Sequence, residues 1–585
     1  MLRRKIVGAV LLSAMLVPTA ILAQSSKVYV APKEEIDKIK DEGINHSQVM
    51  QTLGYLSDVI GPRLTASPGM KRGNEWTRDT LAKWGMENSH LEPWGPFGRG
   101  WTLKRFSAMV DGPTAFPLIA YPKAWSPGTD TLAAAPAPVV AKGKNAPLAA
   151  APASTVYTAE VIHFNASKEE DLEQYKGKLK GKIVLISPIR EIKAHFEPQG
   201  TRSTDKQLLD LADAPDPASV QRQGRQGNFP ANFIQQQQFN AKRLQFLAAE
   251  GAAILVDGAR GDGGTIFVQQ ATAIPTQIPQ PGATPTPQPR VWEKGANVPV
   301  QISLAAEHYN RLVRMIDAGE KPTMSVDLAV QYQDDDPNGY NTIAEIPGTD
   351  PALKDQVVML GGHLDSWHSG TGATDNGAGC AVMMEAMRII KTLGLKPRRT
   401  IRIGLWTGEE QGLYGSRAYV KQHFGYLGDG STPQFGGGGN RGPQPLTKLP
   451  EYDKLSAYFN IDNGTGRIRG VYMQGNEGVR PIFKQWLESF KDPKWGGQDK
   501  DLGAYTLTLA NTGGTDHLSF DAIGLPGFQF IQDEIEYSSR THHSNMDVFD
   551  RIQPDDLKQI STIVAAFVYQ TAMMDEMMPK KPMAK

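Results

Sequence analysis

From residue 341 onward, short apolar runs alternate with amphipathic stretches, and this alternation restricts the fold more than any other feature of the chain. Runs at 357–361, 400–406, 455–461 and 527–532 are rich in Val, Ile, Leu and Phe and read as buried strands. Between and after them, 377–393, 413–424, 479–490 and 557–573 read as helices; Val382, Met383, Ala386, Met387 and Ile390 recur at helical spacing. Strand–helix alternation predicts an α/β sandwich with a largely parallel sheet. In such sheets ligands bind beyond the carboxyl ends of the strands.

Residues able to bind a metal stand at those ends. His363 and Asp365 follow the first run, and Asp375-Asn376-Gly377 opens the next helix. Glu409 and Glu410 follow the second run, Asp462 the third, and His543 lies in a short loop beyond the fourth. A lone His after a strand is usually a core residue, and a Glu-Glu pair usually a solvated surface. Their joint occurrence at successive strand ends argues for one site. A set of His, Asp and Glu without Cys suits two divalent cations held mainly through oxygen. Carboxylates converging without cations would repel and raise one another's pKa. One Asp can instead bridge two ions that share a water or hydroxide.

The remaining sequence narrows the class. The 585 residues carry 62 basic and 62 acidic side chains, a balance that argues against a nucleic-acid binder. Cys380 is the only cysteine, which excludes an intramolecular disulfide, an iron–sulfur cluster and a Cys-type zinc finger. Arg3, Arg4 and Lys5 precede an apolar run at 6–17 and a small residue, Ala23. Residues 1–23 therefore read as a secretory signal peptide, the run being shorter than the roughly 20 residues that span a bilayer. The expectation is an exported protein, periplasmic or extracellular, with no stable membrane anchor after cleavage. Segments 126–154, 271–289 and 433–445 are rich in Ala, Pro, Thr or Gly and read as loops, as does the Gln-rich patch 221–238. Strands at 181–186, 252–256, 298–302 and 323–330, with a helix at 243–250, carry no reactive cluster and read as a small domain inserted into a larger one.

Several motifs together resemble the di-zinc exopeptidases of the aminopeptidase type, in their carboxypeptidase Q-like branch. They are GGHLDSW (361–367), TDNGAGCAVMMEAMR (374–388), RTIRIGLWTGEEQGLYGS (399–416), FNID (459–462), GGTDH (513–517) and HHSNMD (542–547). GKLKGKIVLIS (177–187) and LAAEGAAILVD (247–257) resemble a protease-associated domain, and GPRLTASPG (61–69) resembles the start of the peptidase domain. The resemblance implies a three-layer α/β sandwich with a mainly parallel mixed sheet and an inserted, smaller β-rich domain. Its expected divisions are signal 1–23, peptidase 24–125, insertion 126–335 and peptidase 336–585.

The resemblance also implies roles. His363 and Asp462 would complete one zinc site, Glu410 and His543 the other, and Asp375 would bridge. Glu409 would be the general base, and Asp365 would hold the free ring nitrogen of His363. The pattern sets the ligand His four residues before an Asp, which selects His543 over His542; Val548 stands where the family usually has Thr. Tyr537 is a candidate oxyanion donor, and Asp516 and His517 are candidates for either substrate contact or support of the site. Two Zn(2+) per chain, or manganese or cobalt in their place, a peptide substrate and a homodimer complete the expectation. The rival readings are a single-zinc glutaminyl cyclase-like acyltransferase and a non-catalytic peptide-binding relative; the five ligands plus a base favour neither.

Overall fold

The computed structural model describes residues 28–132, 155–217, 219, 233–280, 288–430, 444–490 and 504–581. The signal segment 1–23 lies outside the described residues, as does most of the low-complexity sequence at 126–154, 221–238 and 433–445.

The first of two eight-stranded sheets contains β1 (Glu87–Trp94), β2 (Gly339–Ile346), β3 (Val357–His363), β4 (Thr400–Trp406), β5 (Leu455–Asn460), β6 (Ile468–Tyr472), β7 (Thr506–Thr508) and β8 (Gly527–Gln532). Its order is β1-β2-β4-β3-β5-β8-β6-β7. The middle strands β4, β3, β5 and β8 run parallel; β1 and β2 pair antiparallel to their neighbours, and β6 is antiparallel to β8 but parallel to β7. The parallel strands are buried on both faces, which is why they read as unbroken apolar runs. Helices Lys33–Asn45, Ala378–Thr392 and Pro554–Met573 pack on one face, and Tyr414–His423 and His517–Asp521 on the other. The chain thus forms the three-layer sandwich with a mainly parallel mixed sheet.

Ala378–Thr392 is buried on every side, not along one stripe, because it is roofed by both Lys33–Asn45 and Pro554–Met573. Met383, Met384, Met387 and Cys380 are core residues. Glu385 and Arg388 are buried within it because they pair with each other at 2.8 Å, and Arg388 also reaches Glu42 at 2.7 Å.

The second sheet runs in the order Phe116–Pro117, Gly100–Gly112, Thr323–Gln333, Val156–His163, Ile183–Leu185, Ile254–Gly258, Val300–Leu304, Ala120–Pro122. Its core is a separate apolar cluster around Ile183, Val256, Ile302 and Val326. Three of its strands lie within 100–122, upstream of the Ala- and Pro-rich stretch at which composition starts the insertion. The change in composition and the edge of the sheet therefore fall at different places. The helix expected at 243–250 is longer, Phe233–Ala249, so part of the Gln-rich patch is helical. Among the described residues, no helix is long and apolar enough to cross a membrane.

Candidate active site

The parallel strands deliver the acidic and histidine side chains to one edge. His363 is the last residue of β3, Glu409 and Glu410 follow β4, and Asp462 follows β5. Asp375 lies in the kinked segment Ala373–Gly377 that leads into Ala378–Thr392. His543 follows the irregular turn Tyr537–Thr541 beyond β8.

These side chains form two clusters sharing Asp375. Nε2 of His363 is 3.2 Å from Oδ1 of Asp462 and 3.3 Å from Oδ1 of Asp375. Nε2 of His543 is 3.2 Å from Oδ2 of Asp375 and 3.0 Å from Oε2 of Glu410. Each Asp375 oxygen therefore faces a different histidine. His542 stands further off, 3.7 Å from Asp375, and stacks on Tyr537. Glu409 belongs to neither cluster's close contacts; its nearest approach to His363 is 3.9 Å.

Charge is poorly balanced within this group. Burial and then Asp375 push Glu410 up to about 7. Burial also holds Glu409 well above the carboxylate range, with Asp462 and Asp516 adding to it against His363. Burial lowers His543, but Glu410 and Asp375 outweigh it and raise the ring to about 10. Oδ2 of Asp375 and Oε1 of Glu410 are buried without a hydrogen-bond donor. Orphaned carboxylate oxygens facing imidazole nitrogens are the donor set a pair of divalent cations requires. The site residues therefore fit divalent metal.

The surroundings hold these groups in position. Asp365 accepts from the backbone amides of Glu409 and Glu410 at 3.2 and 3.3 Å and from Thr65 Oγ1 at 2.9 Å. Nδ1 of His363 is 3.0 Å from the Asp365 carbonyl oxygen but 3.6 Å from its carboxylate. The backbone carbonyl thus fixes that ring, while the Asp365 carboxylate fixes the Glu409–Glu410 loop. Asp547 accepts from the Thr374 amide and hydroxyl and from the Asp375 amide, which fixes the bridging segment. Arg63, in the GPRLTASPG motif, is fully buried and donates to the carbonyls of Leu364, Thr371 and Gly372. It ties together the loops that follow His363 and precede Asp375.

A cavity of about 630 Å³ opens over the clusters. Tyr537 lines it, and burial together with the nearby carboxylates keeps the phenol protonated as a donor. Gly513, Gly514 and Thr515 line it too, but Asp516 and His517 do not. Both are fully buried beneath it, because the turn continues into helix His517–Asp521, and His517 bonds the Thr512 carbonyl. Their expected substrate contact is therefore corrected. Sequence reasoning missed the opposite wall: Gln269, Gln270, Arg290 and Trp292 belong to the region of the second sheet. Arg290 hydrogen-bonds Tyr414 and stands over the Tyr414 and Trp292 rings. It is the one Lys or Arg among the lining residues.

The second-sheet region also grips the His543 loop. The Val268 amide donates to the His543 carbonyl at 3.0 Å, and Phe267 pairs with Ser544. Asn545 and Ile266 exchange two bonds, amide to carbonyl at 3.1 Å and Ile266 amide to Oδ1 at 2.7 Å. His543 itself sits at φ 61°, a left-handed conformation that costs a non-glycine residue about 1 kcal/mol or more.

Residues 341–568 match the model of peptidase family M28. This segment is similar to peptidase family M28 domains. Human carboxypeptidase Q is 30% identical over 278 residues, covering 47% of this chain and 50% of that protein. Leupeptin-inactivating enzyme 1 of Streptomyces exfoliatus is 48% identical over 191 residues, 32% of this chain and 34% of that protein. The chain spans about half the length of the carboxypeptidase Q relatives it matches. A solved peptidase M28 precursor from Shewanella amazonensis SB2B superposes with a TM-score of 0.59 at 21% identity, covering 94% of this chain and 99% of that one. The fold is thus shared well beyond the M28 domain.

Proposed function

We propose that the protein is an exported two-metal exopeptidase that hydrolyses peptide bonds at the ends of short chains. The observation that carries this is the division of five ligands into two clusters around the two oxygens of Asp375. Zinc is the first choice of ion, as in the family resemblance. His363 and Asp462 would hold one ion, Glu410 and His543 the other, and Asp375 both; bound there, the pair would supply an ionised water and polarise the scissile carbonyl.

Glu409 is the general base. It stands beside the clusters without being absorbed by them, and its raised pKa keeps it able to take a proton and later release it to the leaving amine. Asp365 sets the loop from which Glu409 projects. Tyr537 donates a hydrogen bond to the developing oxyanion. The acidic residues of the cavity suit a substrate α-amine, and Arg290 suits its carboxylate, so a free dipeptide meets a partner at each end. The region of the second sheet is read as a protease-associated domain that walls this cavity, and the basic-then-apolar leader supports export.

The test is a panel of dipeptides and aminoacyl amides on metal-replete protein, with a chelated control and elemental analysis. Metal-dependent release of amino acids is expected. No turnover with two ions bound would end the reading.

A further inference from the structure

The proposed ligands all come from the M28 domain, yet one of them is held from outside it. The side-chain amide nitrogen of Gln269 stands 3.0 Å from Nδ1 of His543, while Nε2 of the same ring faces Asp375 and Glu410. A ring whose Nε2 lone pair is given to a cation carries its proton on Nδ1, and a hydrogen-bond acceptor there fixes tautomer and orientation. The three residues before Gln269 hold the backbone around that ring through the His543 carbonyl, Ser544 and Asn545. This matters because His543 occupies a left-handed conformation that it would not keep unaided. Side chain and backbone of one ligand are thus fixed by a single short segment, 266–269.

We infer that Gln269 is a positioning residue for His543, so that the second-sheet region completes one of the two cation sites and leaves the other to the M28 domain alone. The inference rests on the two-metal reading. With a cation on Nε2, Nδ1 carries the proton, and the Gln269 amide, turned over from the orientation in which its nitrogen faces Nδ1, presents its oxygen as the acceptor that keeps Nε2 aimed between Asp375 and Glu410. Among the described residues no equivalent reach is made to His363, whose Nδ1 is satisfied by the Asp365 carbonyl.

The experiment is a zinc titration of metal-free protein against a chromophoric chelator, for wild type, Gln269→Leu and Gln269→Glu. Leucine preserves bulk and removes the acceptor; glutamate restores an acceptor. Gln269→Leu is expected to weaken one of the two sites by about tenfold or more, the usual effect of losing a ligand's outer partner, and to spare the other. Gln269→Glu is expected to bind at least as tightly as wild type. Weakening of both sites alike, wild-type affinity in Gln269→Leu, or equal loss in Gln269→Glu would overturn the assignment. Thermal melts of the metal-free proteins separate this from misfolding: a Gln269→Leu protein that melts like wild type and still loses one site supports it, and one whose loss follows a lowered melting point overturns it. Wild-type protein that takes up no zinc would instead overturn the two-metal reading itself.

Discussion

The two walls of the cavity were built by different rules. The sandwich wall carries His363, Asp375, Glu409, Glu410, Asp462 and His543, charged or titratable groups at the ends of buried strands. The opposite wall carries Gln269, Gln270, Arg290 and Trp292, ordinary residue types from segments outside the strands of the second sheet. A carboxylate or imidazole at a strand end announces chemistry because burying it alone is costly. A glutamine or arginine on a loop announces nothing until the chain is folded. Reactive groups can therefore be read locally, whereas the groups that orient them and select among substrates depend on contacts across hundreds of residues.

The largest expected effect breaks the sandwich wall at its centre. Asp375→Ala should lose both cations and all measurable turnover, because each oxygen of that carboxylate faces a different histidine. Elemental analysis showing two ions per chain would refute the bridge. Next, Glu409→Gln should retain both cations while kcat falls about 10³-fold, within the range expected for a general base. A near-normal rate would remove that assignment. On the opposite wall, Arg290→Ala should act on selection more than on chemistry. The wild-type preference for a dipeptide over its C-terminal amide, expected at about tenfold from a charge-assisted contact, should collapse towards one. An unchanged ratio in kcat/KM would take Arg290 out of substrate recognition.

The smallest effect lies at the rim of the sandwich. His423 is 2.8 Å from Glu92 and 3.5 Å from Glu451. Burial lowers its pKa, but these two carboxylates outweigh that and raise it from 6.5 to about 9. A raised folded-state value means that the stabilisation is complete below pH 6.5 and is lost as pH rises through 9. Across that window the melting temperature of the wild type should fall by about 2 °C more than that of His423→Gln. Parallel curves would show that the contact contributes nothing.

Much of the sandwich was legible. The strands at 400–406 and 527–532 match the sequence reading residue for residue, those read at 357–361 and 455–461 differ only at their ends, and Gly339–Ile346, Ile468–Tyr472 and Thr506–Thr508 went unread. Apolar runs buried on both faces have no competing interpretation once helices flank them. Glu87–Trp94 was illegible for the opposite reason. It is an edge strand with Asn88, Glu92 and Pro93, half exposed, and shows neither alternation nor a continuous apolar run. Asp516 and His517 misled because the resemblance made GGTDH a pocket-facing turn, whereas Asp516 caps and His517 opens the helix His517–Asp521, which buries both. Arg63 was visible only as part of a motif; its use as a buried tie between two ligand loops depends on carbonyls some 300 residues away.

The seam between segment 266–269 and the loop 543–545 has a mechanical consequence. Backbone bonds, a side-chain bond and a strained residue all meet there. Any separation of the two sheet regions at that point would pull on His543, the proposed cation ligand. A mouth tied at that seam would admit its ligand by width and not by a clamshell motion.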